Sequence, residues 1–222
     1  MDIDFLGKEW KDDVRGATLD QRIIDQCLKA NSKRASKGNI LTENVLCFIT
    51  DKKNEIKELG LNKPNDLMTN NFGNFLAGFF TYARNTARTS YAVMKEVDGS
   101  SLSLPVWITA TSDFPIQASH IRVGSGSTAP ARTDYKIETP FTTSCEADYA
   151  TTSEGSFFNT QMATIVSLAC GGSGTIRETG MFFRMQYTSS FQYYFLMFHD
   201  ALAPEVTFTA GQTAHVVYGV VL

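Results

Sequence analysis

Proton-transfer chemistry near neutral pH most often uses an imidazole, and the 222-residue chain has three, at His120, His199 and His215. Asp113 and Asp134 lie on either side of His120 in the sequence, and Asp200 directly follows His199. The His199-Asp200 pair ends an aromatic stretch and reads as a surface pair. No G-x-S-x-G elbow is present. Nothing in the spacing brings a Ser or Cys nucleophile to any of these groups. Glu146, Asp148 and Glu154 lie together, as carboxylates for glycoside cleavage would, but nothing sets their separation, and the trio reads as a solvated loop. The chain is therefore expected not to be an enzyme.

Gly124-Ser125-Gly126-Ser127-Thr128 has the composition of a phosphate-binding loop. The dinucleotide pattern needs a third Gly and a helix behind it, whereas Pro130 and Arg132-Thr133-Asp134 follow here. Gly171-Gly172-Ser173-Gly174 reads as a turn between strands. Cys27, Cys47, Cys145 and Cys170 are far apart, with no C-x-x-C and no His at ligand spacing. They read as unpaired thiols. No metal and no cofactor is expected.

Composition narrows the partners. A formal charge of −3 argues against a phosphate-neutralising surface, so no nucleic acid is expected. No apolar run approaches the ~20 residues of a spanning helix, so no membrane is expected either. The acidic start Met1-Asp2-Ile3-Asp4 lacks a basic leader region and reads as a chain made in the cytoplasm. Of the 20 Lys/Arg and 23 Asp/Glu, 15 and 14 fall within residues 1–98, which leaves residues 99–222 rich in Ser, Thr, Gly and aromatics. Scarce Lys and Glu suit either an all-β domain with a Ser/Thr exterior or a subunit covered by copies of itself.

These residues must be positioned by regular elements. Thr18-Leu19-Asp20-Gln21 has capping-box spacing, with Thr18 accepting and Gln21 reaching back. Ile23, Ile24, Cys27 and Leu28 then form one stripe of a helix ending between Asn31 and Gly38. The stripe covers its own domain or another chain, and Ile23, Ile24 and Leu28 are the candidate docking residues. Val45–Ile49 is an apolar run of undecided type. Residues 51–59 read as a short helix ending at Gly60, and residues 71–84 as a third helix with Phe72, Phe75, Leu76, Phe79 and Phe80 on one face. From about residue 89 the period approaches two. Strands are expected at 91–94, 104–110, 121–123, 156–168, 175–186, 193–199 and 213–222. The last is apolar on both sides, which predicts a central strand or one covered on both faces. The fold expected is mainly β, an antiparallel, jelly-roll-like β-sandwich with an N-terminal helical segment. Residues 1–65 would form a helical arm and 66–222 the helix plus sandwich.

Three stretches carry a resemblance. Met68-Thr69-Asn70-Asn71-Phe72-Gly73-Asn74-Phe75-Leu76 is similar to a "T-N-x-G-x-N-x-L" helix start. Ile121 to Pro130, continuing to Thr133-Asp134-Tyr135, resembles a strand entering a "V-G-x-G-T-T-A-P-x-x-T-D" turn. Ile176-Arg177-Glu178-Thr179-Gly180-Met181-Phe182 resembles "I-x-E-x-G-L-F", followed by Leu196 to Asp200 and by Thr209 to Thr213 before the terminal strand. Together, over residues 66–222, they resemble virion proteins of tailed bacteriophages found in tails, baseplates and fibre attachments. Ser127, Tyr135 and Arg177 depart from the usual pattern. The resemblance implies a structural protein of the virion that assembles as a trimer, hexamer or ring and docks to other virion proteins. Its alternatives are a head decoration or head fibre protein, or a fibre module binding a host receptor or surface glycan. Tyr187, Phe191, Tyr193 and Tyr194 are candidates for stacking on a sugar, or for hairpin packing.

The residues of those stretches read as turn-setters. Gly124 and Gly126 are expected at positive φ. Pro130 stiffens the exit, and Asp134 closes a turn onto nearby N–H groups. Gly180 belongs to the third stretch. Glu178 is expected to pair with Arg177, Arg184 or Arg122, or to face water.

Overall fold

The computed structural model describes residues 14–35, 42–62, 68–82, 89–108, 116–141, 150–151, 156–158, 161–188 and 191–221. Helix α1 spans Gln21–Ala35, followed by β1 (Thr42–Thr50), β2 (Ile56–Leu61), α2 (Asn70–Tyr82), β3 (Thr89–Lys95) and β4 (Ser101–Ile108). Then come β5 (Ile116–Gly124), β6 (Ala150–Thr151), β7 (Ser156–Phe158), β8 (Gln161–Ala169), β9 (Gly174–Thr188), β10 (Phe191–Phe208) and β11 (Thr213–Val221).

Two antiparallel sheets, ordered β2-β1-β11-β8-β7 and β10-β9-β5-β6, pack face to face, and β3-β4 forms a separate hairpin. The chain is thus mainly β, a sandwich with an N-terminal helix. Its core interleaves Val45, Cys47, Val216 and Tyr218 of the first sheet with Ile121, Met181, Phe195 and Phe198 of the second. Because side chains alternate along a strand, the opposite face of the first sheet presents Leu46, Phe48 and Val217. Ile24, Cys27 and Leu28 of α1 cover that face. Strand β11 lies between β1 and β8, and both Val216 and Val217 are buried. It is therefore both central and covered on both faces, where one or the other was expected.

The N-terminal part departs from expectation. Residues 51–59 form a turn and strand β2 instead of a helix. The Asp51 carboxylate accepts the N–H groups of Lys53 and Glu55 at 2.8 and 3.0 Å, and Asn54 takes φ 60°. Side-chain capture of this kind outcompetes a helical start. Lys57 pairs with Glu55 two residues away, as a strand permits, and Leu59 and Leu61 stand opposite Phe48 and Leu46. Strands β1 and β2 are thus integral to the sandwich, so residues 42–61 belong to it and not to a helical arm. The first 13 residues lie outside the described part.

The helix cap also moves. Thr18 bridges to Glu55, and the Leu19 N–H donates to Asn54 O, so this segment runs beside the β1–β2 turn. Asp20 caps α1 by accepting the Ile23 N–H at 3.0 Å, and Gln21 donates to Asp25 instead of reaching back. The strand expected over 156–168 is two, β7 and β8, and β10 continues well past 199. Helix α2 starts at Asn70, within one residue of the expected start.

Candidate functional site

The outer face of the second sheet carries the charged residues. Across β5, β9 and β10 the register aligns Arg122, Gly180 and His199, with Gly124, Glu178 and Ala201 in the next row. The chain leaving β5 folds back over this face as a loop, residues 125–140. Its ends are tied where the Ser125 N–H donates to Thr139 O and the Phe141 N–H to Val123 O. Ile137 descends from the loop onto Phe182 and Leu196. Gly180 makes room for it, since a Cβ there would come within 2.6 Å of Ile137 Cγ2.

Glu178 lies under the loop with 2% of its surface exposed. Its Oε1 accepts the N–H groups of Gly126 and Thr139 at 3.0 and 2.7 Å. Oε2 accepts the Glu138 N–H at 2.8 Å and meets His199 Nε2 at 2.9 Å. The arginine partners and the water-facing position expected for Glu178 are both corrected: Arg177 pairs with Glu205, and the carboxylate is held by amides and an imidazole. Gly124 and Gly126 are corrected as well. Neither has positive φ, which among the described glycines belongs to Gly16, Gly99 and Gly211. They are glycines for space, because a Cβ on Gly124 would stand 2.5 Å from Glu178 Oε1 and one on Gly126 would overlap the same oxygen.

His199 is buried between two acids, so it is no surface residue, and Asp200 beside it is fully buried as well. His199 Nδ1 lies 2.7 Å from Asp134 Oδ2, and that oxygen also accepts the Ala131 N–H at 2.8 Å. An imidazole with a carboxylate on each nitrogen donates to both only as imidazolium. Burial works to lower the His199 pKa, but its bonds to Glu178 and Asp134 outweigh this and hold it above the ordinary range. Burial likewise works to raise Glu178, and His199 with the Thr139 and Glu138 amides holds it below its ordinary range. Glu138 completes the set by accepting the N–H groups of Ser127 and Thr128 and the Thr128 hydroxyl.

The loop that looked like a phosphate site does bind oxyanions, and these are the chain's own carboxylates. The Glu178–His199–Asp134 series has the residue types of a catalytic relay. However, both imidazole nitrogens and both Glu178 oxygens are already engaged with the protein, and of the three groups Asp134 alone is partly exposed. Its chemistry is that of a clasp.

A second histidine constellation lies on the outer face of the first sheet. His215 Nδ1 is 2.8 Å from Ser167 Oγ, and Nε2 is 2.9 Å from Thr50 Oγ1. Burial pushes the His215 pKa down, which favours the neutral ring. Ser167 is exposed beside this base, yet its orienting partner is a hydroxyl, and the strand ladders of β8 and β11 engage the backbone around it. Among the described residues no acid is bonded to His215 to stabilise an imidazolium.

The other candidates fall as follows. Ile24 and Leu28 are buried against the first sheet and Ile23 packs beside them, so the docking stripe is occupied within the chain. Pro130 is half-buried in the loop. Tyr193 packs on the core, and Tyr194 meets His120 edge-on with ring centroids 5.5 Å apart. The side chains of Tyr187 and Phe191 lie outside the described residues, as do Asp113, Cys145, Glu146, Asp148, Glu154 and the Ser189-Ser190 turn. Cys27, Cys47 and Cys170 are buried thiols outside any disulfide, and burial pushes the Cys27 thiol up to about 12. No group of metal-ligating side chains occurs among the described residues. Sequence reasoning missed Glu138 and Ile137, and it did not join His199 to Asp134 and Glu178.

No protein-family model, curated protein or solved structure matches the chain.

Proposed function

We propose that the chain is a structural subunit of a tailed-phage virion, a tail, baseplate or fibre-attachment protein that works by assembling with copies of itself and with neighbouring virion proteins. One observation carries this reading: the three stretches that resemble such proteins form a single clasp. Thr69 of the first donates its hydroxyl to Leu196 O at 2.7 Å, and the Asn70 N–H donates to Arg132 O of the second at 2.6 Å. Glu178 of the third holds Gly126, and through His199 it holds Asp134. The residues behind the resemblance are thus spent on fastening a loop and a helix start to a sheet. That is architectural work, and both nitrogens of His199 and both oxygens of Glu178 are taken up in it.

Sedimentation velocity over a concentration series tests the reading. A stable trimer, hexamer or larger closed ring supports it. A chain that stays monomeric at every concentration, alone and mixed with lysate of phage-infected cells, overturns it.

A further inference from the structure

We propose that the contact between His199 and Asp134 is a proton-controlled outer latch. In this reading, loss of one imidazole proton frees the 131–134 turn from the start of α2 while Glu178 keeps the rest of the loop closed. The inference stands on geometry and is independent of the virion reading.

The two sides of His199 are unequal. Toward β9, Glu178 is 2% exposed and has three backbone donors, from Gly126, Glu138 and Thr139, that persist whatever the imidazole does. Toward the loop, the Asp134 side chain is 27% exposed and keeps only the Ala131 N–H. A neutral imidazole carries one N–H. That proton stays on Nε2, because Glu178 is the acid that solvent cannot reach. The Nδ1 lone pair then faces Asp134 Oδ2 across 2.7 Å, a contact between two acceptors. Asp134 is the partner able to leave for water.

The remaining charges around His199 do not compensate. Asp200, next on β10, points to the opposite sheet face, where the Asn62 amide meets it at 3.4 Å. Arg122 of β5 lies two strands across in the same row, beyond Gly180. Of the loop charges, Glu138 is occupied by the Ser127 and Thr128 amides, and Arg132 and Lys136 are exposed. The start of α2 contributes Asn70 and Asn71, which are uncharged. The turn that moves with Asp134 carries Arg132 O, which holds the Asn70 N–H. Opening the latch therefore separates the loop from α2 while Ser125 and Thr139 stay joined. The predicted surface change is local, at the seam between α2 and residues 131–134.

Nuclear magnetic resonance on the full-length chain between pH 5 and 9 reads both ends of the latch. At pH 6 both His199 ring nitrogens should carry protons. As pH rises, Nδ1 should deprotonate with a midpoint above the ordinary histidine range. The Asn70 and Ala131 amides should lose exchange protection, corrected for intrinsic rate, with the same midpoint, while Gly126 and Thr139 keep theirs. In His199→Gln the step at Asn70 should vanish. Loss of protection at all four amides together, no loss at Asn70, a single ring proton at pH 6, or an unchanged step in His199→Gln would each overturn the proposal. If His199→Gln does not fold, the wild-type titration decides alone.

Discussion

The Gly126 N–H points at Glu178 Oε1 from 3.0 Å, and the glycine stands so close to the carboxylate that any Cβ would overlap it. A buried charge and an absent side chain therefore specify each other across 52 residues of sequence. Much of the behaviour of the outer face follows from this pairing.

Glu178→Gln keeps the shape and removes the charge. An amide nitrogen then replaces one carboxylate oxygen and faces N–H donors, whichever way the group is turned. Breaking a buried, hydrogen-bonded ion pair costs about 3–5 kcal/mol, and the expected loss for Glu178→Gln is about 3 kcal/mol. Urea unfolding at pH 6 measures it. Glu138→Gln, on an exposed carboxylate, should change the midpoint much less.

Two glycines separate crowding from conformation. Gly126 has ordinary φ but no room, so Gly126→Ala must displace Glu178 or Glu138, at about 2 kcal/mol for an overpacked site. Gly99 has room, with Tyr135 at 3.7 Å, but sits at φ +94°, so Gly99→Ala should cost about 1 kcal/mol of backbone strain. Only Gly126→Ala should also move the His199 ring resonances. Equal movement in both variants would refute the distinction.

His199 and His215 pull stability in opposite directions around their ordinary pKa of 6.5. His199 is raised on folding, so its contribution is full below 6.5 and is lost as pH rises through the folded value. His215 is lowered on folding, so its contribution is full above 6.5 and is lost as pH falls through its folded value. Glu178, lowered from 4.5, adds a further loss in acid. Unfolding free energy should therefore peak near pH 6.5. His199→Gln should flatten the alkaline side and His215→Gln the acid side nearest the peak. An alkaline slope unchanged in His199→Gln would contradict the assignment.

What sequence could disclose depended on range. Periodicity marked β11 and α2 because burial on their faces repeats within a few residues. It failed at 51–59, where the local hydrogen bonds of Asp51 and the ladder to β1 override a helix-like composition. Asp134, Glu178 and Gly126 could be marked as structural from their motifs. Their joint function could not, because His199 meets Asp134 across 65 positions and no local pattern encodes that contact. The glycines showed the limit most plainly. Their presence was legible, but the reason for it, a carboxylate arriving from another strand, was not.

The stripe of α1 has two readings that one substitution distinguishes. Leu28 is 3% exposed and rests on Gly219, where an added Cβ would be 2.9 Å from Leu28 Cδ2. Truncating a leucine so enclosed leaves a cavity that the neighbouring strand cannot fill, and Leu28→Ala should cost about 2–4 kcal/mol. A core position predicts this loss at any protein concentration, with native mass unchanged for the fraction that remains folded. A docking position predicts the reverse: weaker association and an unfolding midpoint that differs from wild type only where copies associate. Paired urea unfolding and sedimentation on Leu28→Ala decide between them. The burial of Ile24, Cys27 and Leu28 against Leu46, Phe48 and Val217 predicts the first outcome.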